Sequence, residues 1–146
     1  MDITIDGVPL HPLVVHLSVV AVPLAGILAL VWTLGKARLA TLSLAVSWIA
    51  AAATLLAKIS GERLLEAKGL SEHNPGPVAD HVTWATYALA SIATLAVFST
   101  FGRSIGTKSG AWIWNLTRML IILAALASVL SIVIAGHEGA KLVWTH

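Results

Sequence analysis

Residues 13–34 read LVVHLSVVAVPLAGILALVWTL, with no charged side chain among them. A helix needs about 20 such residues to cross roughly 30 Å of hydrocarbon, so this run is a membrane span. Three more runs of similar length, residues 39–58, 82–101 and 112–135, are dominated by apolar residues in the same way. They are rich in Leu and Ala and show no period-two alternation, which excludes strands, since open sheet edges are not tolerated in lipid. With 58% hydrophobic and 11% charged residues, the 146-residue chain has too little polar surface to clothe a soluble core. The expected fold is all-α: a four-helix transmembrane bundle, up-down, forming one four-span domain over residues 1–146.

Charge sets the expected orientation, because Lys and Arg near span ends are retained on the cytoplasmic side. Lys36, Arg38, Arg103, Lys108 and Arg118 cluster at one end with no acid among them. All seven acids, Asp2, Asp6, Glu62, Glu66, Glu72, Asp80 and Glu138, fall at the other, with only Lys58, Arg63, Lys68 and Lys141 beside them. The acidic first dozen residues and the length of the first run argue against a cleaved signal peptide. Both termini and the middle loop are therefore expected outside, in the periplasm or its equivalent. Trp32, Trp112 and Trp114 at the inner boundary, and Trp84 and Trp144 at the outer, suit interfacial belts.

This threading puts all six histidines on the outer face. His16, Glu62, His81 and His137 stand at the outer ends of spans one to four, one per helix. A histidine inside an apolar span is costly and faces the bundle interior or water by preference, which makes His16 the most committed member. Against it stands the plain reading of a satisfied packing residue. His81 and His137 sit where imidazole is cheap, and Glu62 has Lys58 one turn earlier as a structural partner. Pro12 suits the first helical position, leaving His11 at the cap as a supporting donor, five residues from His16 and off its face. Asp80 reads as the N-cap of span three. His73 belongs to a Pro/Gly turn and His146 to the terminus.

A weak internal echo links the two halves. Ile59-Ser60-Gly61-Glu62 resembles Ile134-Ala135-Gly136-His137, and histidines open spans one and three. Two helical hairpins related by a pseudo-twofold axis would set His16 opposite His81, 65 residues on, and Glu62 opposite His137, 75 residues on. Ala53, Ala57 and Gly61, and likewise Ala127, Ser131 and Ala135, recur every fourth residue as small packing positions. Pro23 is expected to kink the first span.

Two function classes follow. In the first, the outer rim binds a redox cofactor: haem b through His16 and His81, or a transition metal ion through His16, Glu62, His81 and His137. The chain has no cysteine, so thiolate ligands, disulfides and covalent haem attachment are excluded. In the second, a cofactor-free accessory, assembly or structural subunit, or a homo-oligomer, uses the rim as a hydrogen-bond network or a quinone or lipid headgroup contact. No nucleophile with its base, P-loop or nucleotide fingerprint is present. Nucleic acid is excluded as a partner, because the bases form no stripe; the lipid bilayer and another membrane protein are the expected ones.

The opening Gly7-Val8-Pro9-Leu10-His11-Pro12-Leu13-Val14-Val15-His16, the Ser60-Gly61-Glu62-Arg63-Leu64 end of span two, His81 at the start of span three, and the closing Gly136-His137-Glu138-Gly139-Ala140-Lys141-Leu142-Val143-Trp144 carry a resemblance. They resemble the bacterial membrane family catalogued as domain of unknown function 2231. The resemblance implies a four-span integral membrane protein. Some other members carry the domain fused to a Rieske iron–sulfur domain, which implies a link to respiratory electron transfer and a respiratory-chain partner; no Rieske segment occurs in this chain.

Overall fold

A computed structural model describes residues 4–5, 8–105 and 110–144, with side chains placed for residues 10–105 and 110–142. Asp2, Asp6, Lys108 and His146 lie outside the described residues, as does the side chain of Trp144. Two short strands, β1 (Thr4–Ile5) and β2 (Val8–Pro9), pair antiparallel ahead of four helices. The helices are α1 (Leu10–Thr33), α2 (Ala40–Ala67), α3 (Ala79–Ile105) and α4 (Ala111–Trp144), and each contains a window long and apolar enough to cross a membrane. Every helix overruns its apolar run. At 1.5 Å per residue the 34 residues of α4 extend about 51 Å, well beyond the hydrocarbon, so its last two turns carry polar groups into the rim. α1 passes through Pro23 without a break.

α1 and α2 end on the same device. Gly35 has φ +111° and Gly69 φ +74°, the left-handed conformation that glycine adopts without Cβ strain. Around Gly35, Lys36 N–H donates to Val31 C=O at 3.3 Å and Gly35 N–H to Trp32 C=O at 3.0 Å. Around Gly69, Leu70 N–H donates to Leu65 C=O and Gly69 N–H to Glu66 C=O, both at 2.9 Å. This paired closure satisfies carbonyls that a helix end would otherwise strand, and at Gly35 it turns the chain directly into the short 3-10 turn before α2. A second 3-10 turn, Gly76–Val78, leads into α3. α3 therefore begins at Ala79, and Asp80 lies within its first turn instead of capping it.

Packing is by small residues. Ala25, Ala29, Ala50, Ala96 and Ala125 are wholly buried, with Val22, Ile92, Leu95 and Ile121 filling the gaps between them. The large apolar side chains Leu17, Val20, Ile27, Ile49, Leu130 and Val133 point outward. Lipid tails solvate those side chains as well as a core would, so what holds the helices is close backbone approach. A Cβ on Gly26 of α1 would lie 2.8 Å from Val129 Cγ2 of α4. On α4 the buried face runs through Ala124, Ala125, Ser128, Ser131, Ile132 and Ala135, whereas Ala127 is exposed.

α1 packs on α2 and α4, and α3 packs on the same two, which places α1 diagonal to α3 and α2 diagonal to α4. The hairpins repeat one another in burial. Ser18, Val22, Ala25 and Ala29 of α1 are buried, and so are Ala88, Ile92, Leu95 and Ser99, each 70 positions later in α3. Ser43, Ser47, Ala50, Thr54 and Ala57 of α2 correspond at 78 positions to Ile121, Ala125, Ser128, Ile132 and Ala135 of α4, all buried. The spacings of 65 and 75 expected from the sequence echo are thus replaced by 70 and 78, which changes which side chains correspond.

Candidate functional site

The start of α1 meets the end of α2 through an imidazole. His11 is the second residue of α1, and its Nδ1 lies 3.0 Å from Ala57 C=O and 3.1 Å from Ser60 Oγ. Ser60 donates its own hydroxyl to Ala57 C=O at 3.0 Å, so its remaining lone pair faces the histidine. A carbonyl oxygen only accepts, hence Nδ1 carries a proton, and in the neutral ring Nε2 is the acceptor. The ring rests on bare backbone: a Cβ at Gly61 would stand 3.0 Å from His11 Cε1.

The second hairpin repeats this contact. His81, at the start of α3, donates from Nδ1 to Ala135 C=O of α4 at 2.8 Å, and a Cβ at Gly139 would lie 3.0 Å from that nitrogen. His11 and His81 are 70 positions apart; Ala57 and Ala135, and Gly61 and Gly139, are 78 apart. The shared unit is a helix-opening histidine bonded to the carbonyl four residues before a glycine in the next helix. The two imidazoles come from diagonal helices, and both are half-buried.

The remaining expected members fall elsewhere. His16 is exposed on the outer surface of α1, its Nδ1 bonded at 2.6 Å to Pro12 C=O of its own helix. It lies five residues beyond His11, on another side of the helix, and the bundle takes the first of the two. His137 is exposed on α4. Glu62 is engaged by Lys58 at 2.7 Å, and Lys58 also reaches Glu72 of the middle loop. His73 is exposed in that loop. Among the described residues no three His, Cys, Asp or Glu side chains converge as a metal site, so His16, Glu62, His81 and His137 do not form a common shell.

His11 was expected to cap its own helix and instead crosses to α2. The signal for it was present as Ala57-x-x-Ser60-Gly61-x-Arg63-Leu64 beside Ala135-x-x-Glu138-Gly139-x-Lys141-Leu142, an alignment obscured by the nearer glycine at 136. Glu138 takes the place of Ser60 in the second hairpin and pairs with Lys141 at 2.7 Å.

With the four long helices and their paired histidines in place, the class is that of a four-helix membrane bundle. The chain belongs to the DUF2231 family, described as a predicted membrane protein, whose model matches residues 7–146. No curated protein and no solved structure matched the chain.

Proposed function

We propose that the paired imidazoles of His11 and His81 would hold haem b, and that the bundle serves membrane electron transfer. The observation that carries this reading is the donor set. Two histidines on diagonal helices each give the Nδ1 proton to a backbone carbonyl, at 3.0 and 2.8 Å. That bond fixes the tautomer, orients the ring and raises the basicity of Nε2, the arrangement that supports histidine ligands. A porphyrin supplies four of the six donors to its iron, so two imidazoles complete it; a bare ion needs three or four protein ligands, which these residues do not offer together. Bound there, haem would supply one-electron chemistry. The chain's own part is to hold the two imidazoles against Gly61 and Gly139, each with its Nδ1 tied to a backbone carbonyl.

The charge asymmetry supports an orientation in which this rim faces the periplasm of a bacterial cell, with the basic end in the cytoplasm. The deciding experiment is a reduced-minus-oxidised absorption spectrum of the detergent-purified protein, with pyridine extraction of any haem. The expected result is a haem b spectrum lost in His11→Ala and in His81→Ala and kept in His16→Ala and His73→Ala. A featureless spectrum overturns the cofactor reading in favour of a cofactor-free accessory subunit, and loss in His16→Ala with retention in His11→Ala overturns the ligand assignment.

A further inference from the structure

At the end of the bundle opposite the histidines, the helix ends enclose a cavity of about 490 Å³. Trp32 and Trp114 form one wall, their rings 6.2 Å apart and inclined at 57°. Trp32 reaches its place because Gly102 of α3 has no side chain: a Cβ there would lie 3.3 Å from the indole and 3.1 Å from Ile121 Cδ1. Instead of standing in a lipid-facing belt, Trp32 is buried at 6% exposure. Arg103 of α3, Arg118 of α4 and Thr33 of α1 line the same cavity. The Thr33 hydroxyl is spent on its own helix, donating to Ala29 and Leu30 carbonyls. The guanidiniums have no acid to meet, because residues 7–61 and 81–137 contain no Asp or Glu at all.

We infer that this cavity binds the phosphodiester headgroup of an anionic phospholipid, held by Arg103 and Arg118 with its glycerol against Trp32 and Trp114. Guanidinium forks match phosphate oxygens in two-pronged hydrogen bonds, and an indole pair offers an apolar face with N–H groups at its edge. The volume lies in the ordinary range for a ligand pocket, about 300–1,000 Å³. The cavity opens among helix ends, the depth at which lipid phosphates lie and the bilayer supplies such anions directly. This site is independent of the histidine rim, at the other end of the molecule.

The test uses the full-length protein in nanodiscs of phosphatidylcholine with and without phosphatidylglycerol, reading retained lipid by mass spectrometry and thermal unfolding. Wild type is expected to retain phosphatidylglycerol over phosphatidylcholine and to unfold several degrees higher with it. Arg103→Gln and Arg118→Gln should each cut that preference severalfold and together abolish it. Lys36→Gln with Arg38→Gln, basic residues off the cavity, should leave it within twofold. Absence of preference in wild type, or its persistence in the Arg103→Gln/Arg118→Gln protein, overturns the proposal. An equal rise in unfolding temperature with millimolar inorganic phosphate overturns the lipid source in favour of a free anion. If the double variant fails to fold, Arg103→Lys/Arg118→Lys replaces it: the charge stays while the two-pronged contact goes, and an unchanged preference overturns the assignment.

Discussion

Glycine is the residue on which the rim depends. Gly61 and Gly139 leave the two imidazoles the only space they have, with an added Cβ at 3.0 Å in each case. Gly61→Ala and Gly139→Ala are each expected to push the ring off its carbonyl and to cost about 1 kcal/mol, the net worth of one hydrogen bond. Nitrogen NMR of labelled histidine would check this through loss of the protected Nδ1–H signal; an unchanged signal in both variants would show that the contact is slack. Two hydroxyls make the opposite case. Most Ser and Thr in the helices bond a carbonyl of their own helix, as Ser47 does to Ser43 C=O at 2.8 Å and Thr54 to Ala50 C=O at 2.8 Å. Ser43 Oγ and Ser99 Oγ are buried with no partner among the described residues. A buried unpaired hydroxyl carries a desolvation cost of about 1–3 kcal/mol. Ser99→Ala, which copies Ala29 of the other hairpin, is therefore expected to raise thermal stability or leave it unchanged, and a drop of several degrees would contradict the unpaired state. Which histidine turns inward was the least legible feature at this scale. His11 and His16 differ by 140° around one helix, and nothing local tells which side the neighbouring helix occupies; only the spacing to Gly61 and Gly139 does.

Helices were far more legible than their contacts. Apolar length alone marks four spans, because backbone groups in lipid have no alternative to helical pairing. The ends were less so: α2 and α4 run past the apolar runs through Arg63, Glu66 and Lys141, where charge gives the sequence a loop-like look while the helix continues. Small residues were read as packing positions, and Ala53, Ala57, Ser131 and Ala135 are buried as such, but Ala127 faces outward. A stripe of alanines does not say which of its edges meets a neighbour. The α1–α4 seam is tight where Gly26 meets Val129. Gly26→Leu should open that seam at a cost of about 1–3 kcal/mol, the range for overpacking a filled site. Unfolding in detergent would show a lowered midpoint, while Ala127→Leu at its exposed position should shift it by less than half as much.

Charge segregation is the property of the whole molecule that the sequence displays most openly. Seven acids at one end and an acid-free basic end follow directly from threading four spans. Since the chain has no cysteine, single cysteines report sidedness without background. His73→Cys in the middle loop is expected to react with an impermeant thiol reagent on intact cells, and Lys36→Cys only after permeabilisation; the reverse pattern would invert the orientation. The repeat was visible in part. Two hairpins were expected, yet their correspondence slipped by five positions in one helix pair and three in the other, because apolar spans carry little to fix an alignment and the glycine at 136 competes with that at 139.

Each histidine also closes a circuit. The backbone joins α1 to α2 at the Gly35 turn, and the His11 bond to Ala57 joins them again at the far end; chain connectivity and the His81 bond to Ala135 do the same for α3 and α4. Both hairpins are thus clasped frames, fastened at top and bottom, that resist splaying within themselves. Between the frames, Gly26 of α1 packs on Val129 of α4, and Trp48 Nε1–H of α2 donates to Thr100 Oγ1 of α3 at 3.1 Å. Opening either hairpin at the far end therefore requires a histidine to give up its carbonyl.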